Sequence, residues 1–115
     1  MKASSFLTLG IIILLTSCNQ LFNKNEGIRD GIFIHITQSF NDPHRALMPL
    51  KMANMMAMDK DVLVYFDIHA VELLTKMSKD MQFADFDPLK KLLQGLIDKK
   101  VGLYACPTCM KIANI

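Results

Sequence analysis

The chain alternates between short apolar runs of β-forming residues and longer stretches with helical spacing. Gly31–Thr37 (Gly-Ile-Phe-Ile-His-Ile-Thr) and Val62–Ile68 (Val-Leu-Val-Tyr-Phe-Asp-Ile) are nearly continuous β-branched and aromatic runs. Such runs predict strands buried on both faces, as in parallel sheets covered by helices. Val101–Ala105 reads as a third strand. Asn41-Asp42-Pro43 supplies an N-cap and then a proline at the first helical position, opening a helix over His44–Asp59. Ala70–Lys79 carries Val71, Leu74 and Met77 at helical spacing, and Asp80–Phe86 reads as a loop anchored by Phe83 and Phe86. Asp87-Pro88 repeats the cap-then-proline signal. After it, Leu89, Leu92, Leu93, Leu96 and Ile97 recur at i, i+3, i+4, i+7 and i+8, the clearest amphipathic helix in the chain. Cys106-Pro107 gives the signal a third time and starts a helical unit over Pro107–Ala113. The order βαβαβα implies an α/β domain with a parallel sheet and right-handed crossovers.

That topology places a working edge before any chemistry is considered. In open parallel sheets, sites gather beyond the carboxyl ends of the strands. Thr37–Asn41, Asp67–His69 and Cys106–Cys109 converge there. Cys106 at a helix N-cap, with Cys109 one turn in, lies near the positive end of the helix dipole, which favours thiolate, the reactive form. Cys106 is therefore the expected centre of sulfur chemistry, with Cys109 as a secondary thiol. His69, at a strand's carboxyl end, is placed to tune the thiol. His35, mid-strand, reads as a satisfied core group, His44 as a solvated first-turn residue, and Asp67 as a carboxylate bonded to a loop.

The first helix holds five of the nine methionines: Met48, Met52, Met55, Met56 and Met58. Met52, Met56, Ala53, Ala57 and Leu50 fall on one stripe, with Met48, Met55 and Met58 largely opposite. A helix apolar nearly all round suggests a subunit interface beside its sheet contact. Adaptable thioether packing is the common reason for such a composition, and a copper(I) site is the sharper alternative. Pro49, some six positions in, should kink the helix or delay its regular part.

Composition narrows the classes. The 115 residues carry a net charge of +2 and are 51% hydrophobic, which fits one small, core-rich domain. No Lys/Arg cluster accompanies aromatics, so nucleic acid is not implied. Met1-Lys2 and the apolar run Phe6–Leu15 read as a signal peptide over residues 1–17, too short to span a bilayer comfortably. Leu15-Thr-Ser-Cys18 resembles the bacterial lipobox. That implies lipidation of Cys18, a tether over residues 18–30, and a lipoprotein anchored on the periplasmic side, in the outer membrane by the residue at Asn19. The domain then spans residues 31–115 and retains two cysteines.

One C-x-x-C with scattered His35, His44 and His69 falls short of the roughly four ligands that a zinc site needs. A Cys106–Cys109 disulfide closes too small a loop to stabilise much, yet it can form and function in an oxidising compartment. Cys-Pro-Thr-Cys has the thioredoxin pattern, but it follows the last strand rather than an early one. Redox chemistry at the pair stays open. No cofactor or resident metal is expected.

Ile32–Thr37, Asp42-Pro43-His44-Arg45-Ala46, Lys51-Met52-Ala53, Val62–Phe66 with Ala70-Val71-Glu72-Leu73, and Gly102–Cys106 with Ala113-Asn-Ile115 occur in a telling order and spacing. In these, residues 32–115 resemble the DsrE/DsrF-like family of small sulfur-relay proteins, which includes the TusD-type subunits. The resemblance implies a three-layer α/β/α domain, three of the family's five strands being present, assembled as homo-trimers or hexamers. It also implies a cysteine after the third strand that accepts sulfur as a persulfide and passes it on, a role that falls to Cys106. Cys109, where several relay members have a small residue, becomes a resolving or partner thiol. The expected function is thus a thiol-based sulfur carrier or sulfurtransferase. Its alternative is a non-catalytic, envelope-anchored oligomeric binding module of the same fold.

Overall fold

The computed structural model describes residues 30–115. The expected signal peptide, the lipidated Cys18 and the tether before Asp30 lie outside the described residues. The elements are β1 (Gly31–Ile36), α1 (Pro43–Met56), β2 (Asp61–Phe66), a short 3₁₀ helix (Ala70–Leu74), α2 (Leu89–Asp98), β3 (Gly102–Ala105) and α3 (Pro107–Ile112). The strands pair in parallel in the order β1-β2-β3, with Ile36 beside Phe66 and Phe66 beside Ala105. The α/β class and the parallel sheet are as the pattern predicted.

Both crossovers step the same way across the sheet, so right-handed connections put α1 and α2 over the same face. The core forms there. Ile36, Val64 and Phe66 from the sheet meet Leu47, Leu50 and Ala53 of α1 and Leu89, Leu92 and Leu96 of α2. The two helices touch through Asn54, whose Nδ2 donates to the carbonyls of Leu50 (3.1 Å) and Leu92 (2.9 Å). Gly95 makes room for this, since any Cβ there would collide with Asn54 Oδ1.

The strands differ from expectation in being buried on one face only. Burial alternates along β1: Phe33 is 64% exposed and Ile36 1%. By strand parity Phe33, His35, Leu63, Tyr65 and Tyr104 share the second face, and Phe33 and Tyr65 stack at 6.3 Å between ring centroids. His35 is consequently not a core group. It stands half-exposed on this open face, with Nε2 2.9 Å from Asp67 Oδ2. That pairing also corrects the reading of Asp67 as a loop-binding carboxylate.

Three helical expectations were only partly met. Asp42 caps α1 through Oδ1, which accepts the Arg45 N–H at 3.1 Å. The helix runs through Pro49 as one element and ends at Met56 rather than Asp59. Of the expected stripe only Leu50 and Ala53 are fully buried; Met52 is exposed, and Ala46 and Leu47 complete the seam. Ala70–Lys79 yields only the 3₁₀ helix, because His69 offers no side-chain cap and Thr75 turns extended. The chain then doubles back to bury Met81.

Asp87 does not cap α2. Pro88 occupies the cap position, and Asp87 instead binds Lys91 Nζ at 2.6 Å. The first-turn N–H groups still need acceptors. Asp80 supplies one from ten residues upstream, its Oδ1 accepting from Lys90 N–H (3.0 Å) and Met81 N–H (2.9 Å). The Met81 carbonyl accepts from Leu89 N–H at 3.0 Å.

Candidate functional site

The carboxyl edge of the sheet assembles the three expected segments through their backbones. Asp67 N–H donates to the Ile36 carbonyl (3.1 Å), His69 N–H to the Thr37 carbonyl (3.2 Å) and Cys106 N–H to the Phe66 carbonyl (2.9 Å). The last bond carries the β2–β3 ladder one residue past Ala105. Side chains alternate along strands, so Gly102, Tyr104 and Cys106 share the open face with Tyr65 and Asp67. The thiol therefore emerges where the open face meets the carboxyl edge.

Beyond Cys106 the sequence turns directly into α3, with Pro107 at the first helical position. Cys106 is its N-cap, and the sulfur takes the place an oxygen usually fills: Sγ accepts the Cys109 N–H at 3.4 Å. This bond chiefly holds the Cys106 thiol below the ordinary cysteine range. The Cys109 thiol, the Tyr65 hydroxyl and the Thr108 N–H assist, while slight desolvation opposes. Cys109 is shifted the opposite way. Its contact with the Cys106 thiol pushes it up, and the Ile68 N–H only partly offsets this. Tyr65 is raised as well, first by its hydrogen bond to Cys106. The two thiols thus differ in direction: the contacts favour the thiolate at Cys106 and disfavour it at Cys109.

Cys109 also lines a mainly apolar cleft of about 280 Å³ with Ile68, His69, Glu72, Ile112 and Ala113. Ile68 has φ 49°, uncommon for a β-branched residue, and its N–H faces Cys109. Glu72 is fixed by the hydroxyl of buried Ser39 at 3.3 Å. His69 belongs to this cleft, so the structure groups it with Cys109 rather than Cys106. His44 lies elsewhere, exposed but stacked on Phe83 at 5.7 Å and tilted against Phe86 at 5.6 Å.

Two neighbours of the thiols, Tyr65 and Ile68, carry no individual reading from the sequence, and His35 and Asp67, each read separately there, form a pair. Tyr65 and Asp67 flank the last buried residue of β2, Phe66, so a one-faced sheet would have placed both beside the end of β3. Asp67 Oδ1 is buried without a hydrogen-bond partner among the described residues. No group of three His, Cys, Asp or Glu is arranged there to share a metal ion. A wider groove of about 630 Å³ runs between the outer sides of α1 and α2, lined by Met55, Met58, Leu92 and several lysines and carboxylates. It contains no thiol.

What the edge can do chemically follows from these contacts. An accessible sulfur with depressed basicity, hydrogen-bonded to a second thiol, suits attack on electrophilic sulfur. No curated protein and no solved structure matches the chain at a significant level. Residues 30–115, on the other hand, match the model of the DsrE/DsrF-like family from the first strand to the last residue, and the chain belongs to that family.

Proposed function

We propose that this protein is a DsrE-like thiol-based sulfur carrier, with sulfurtransferase activity, which accepts sulfane sulfur on Cys106 as a persulfide. The observation that carries the reading is the Cys106 sulfur at the strand-to-helix turn, accepting the Cys109 N–H and kept acidic. Thiolate attacks the donor's outer sulfur, the donor thiolate leaves, and Cys106 holds the sulfur until an acceptor thiolate takes it. Tyr65 steadies the anionic sulfur from the open face. His69 serves from the Cys109 side of the edge. The sulfur donor and acceptor are thiol proteins or small persulfides. Intact-mass spectrometry after exposure to a persulfide donor should show wild type gaining the mass of one sulfur atom and Cys106→Ala gaining none. Equal loading of the two proteins contradicts the reading.

A second reading, an envelope-anchored binding module without catalysis, is favoured by one observation. The open face exposes Phe33 and Tyr104, and on the opposite side of the domain the outer side of α1 exposes Met52 and Met55. Self-association into trimers or hexamers would cover such surfaces. Under this reading Met55→Lys shifts size-exclusion elution toward monomer while Cys106→Ala changes nothing. Either way we place the protein on the periplasmic side through lipid on Cys18, supported by the lipobox-like Leu15–Cys18 sequence. Incorporation of labelled palmitate that survives Cys18→Ala contradicts that placement.

A further inference from the structure

The second thiol has no task in simple sulfur relay, which needs one cysteine per carrier. Its placement is nonetheless specific. Cys109 is the residue whose N–H reaches Cys106 Sγ, at 3.4 Å, and its own thiol contacts the same sulfur. Both thiols are free and partly accessible. A four-residue loop adds little to stability, so the pairing is not explained as a staple.

Resting on the reading that Cys106 carries sulfur, we propose that the protein is also a persulfide reductase, in which Cys109 discharges the Cys106 persulfide as hydrogen sulfide. Cys109 gives its proton to water and attacks Cys106 Sγ. An S–S bond forms between the two cysteines, and the bond from Cys106 Sγ to the outer sulfur breaks. That sulfur leaves with the electron pair as hydrosulfide and takes up a proton to become hydrogen sulfide. The outer sulfur is reduced by two electrons while the thiol pair is oxidised to a disulfide, so the step needs no outside reductant. Restoring the pair for another round requires a dithiol, which dithiothreitol can represent in vitro.

The geometry favours this direction over passing the sulfur to Cys109. The Cys109 N–H already reaches Cys106 Sγ, which is the inner sulfur of a persulfide, so attack there closes the short ring between the two cysteines. Only the thiolate attacks, and a cysteine thiol is mostly protonated at neutral pH, so Cys109 attacks slowly there and faster as pH rises, and the loaded form survives long enough to meet an acceptor first. The same residue therefore acts as a timer on the stored sulfur.

The test loads the full-length protein with glutathione persulfide, removes excess donor by gel filtration, and follows intact mass and released sulfide together. Wild type should lose its added sulfur about tenfold or more faster than Cys109→Ala, as an intramolecular attack does over attack from solution. It should release one sulfide per disulfide formed, and its rate should rise with pH. Cys109→Ser should keep the load as Cys109→Ala does. Discharge at the same rate in wild type and Cys109→Ala overturns the proposal and leaves the carrier reading standing. A persulfide that persists on wild type without sulfide release overturns it too. Failure of Cys109→Ala to load at all overturns the carrier reading itself.

Discussion

The two faces of one small sheet, built from the same three strands, have opposite fates. Ile36, Val64 and Phe66 are fully buried under α1 and α2, while their neighbours Phe33 and Tyr104 are 64% and 55% exposed. Both faces are rich in β-formers, so strand propensity does not separate them. What separates them is the handedness of the crossovers, which sends both helices to one side. The covered face supplies stability and fixes the register. The open face, with its register fixed from behind, leads by strand parity to Tyr65, Asp67 and Cys106. In this sheet, packing and chemistry are sorted to opposite sides of the same backbone.

Two phenylalanines offer the sharpest way to break this comparison. Phe66→Ala should destabilise the protein by about 3–5 kcal/mol in denaturant unfolding, because it leaves a cavity between the sheet and both helices. A loss near that of a surface substitution would mean the core is misplaced. Asp80→Ala should cost about 1 kcal/mol, since it removes the distant cap of α2, and Asp87→Ala clearly less. The reverse order would restore Asp87 as the cap. Phe33→Ala should stay within about 0.5 kcal/mol.

Tyr65→Phe probes how the open face reaches the thiol. It should change stability little but remove a hydrogen bond that favours the Cys106 thiolate. The sign follows directly. Wild-type Cys106 ionises below the ordinary cysteine range, so its alkylation by iodoacetamide rises at lower pH than for a free cysteine. In Tyr65→Phe that rise moves to higher pH, and the reactivity at neutral pH falls. An unchanged pH profile would detach Tyr65 from the site.

Much of this was legible in the sequence. The order of strands and helices follows from the runs and periods, and the caps at Asp42 and Cys106 follow from local grammar, because the donor lies three residues from the acceptor. Asp87-Pro88 has the same grammar and misleads. Its cap is Asp80, whose role depends on how residues 75–88 fold back, which no local pattern encodes. The open face was hidden for a different reason. Phe33, Tyr65 and Tyr104 are as apolar as core residues, and only His35 broke the run. Ala70–Lys79 kept a helical period but lacked a cap to hold it. The site was legible to the extent that strand ends are predictable. Cys106 stands where it was expected, whereas Tyr65 and Ile68 required the sheet's register and a positive φ.

The central claim is that sulfur is held on Cys106. The most direct measurement is tandem mass spectrometry of the full chain after brief exposure to glutathione persulfide and trapping with an alkylating agent. The account predicts one added sulfur located on Cys106 in both wild type and Cys109→Ala, and none in Cys106→Ala. Sulfur that loads Cys109 in the absence of Cys106, or no loading on any of the three proteins, would contradict it.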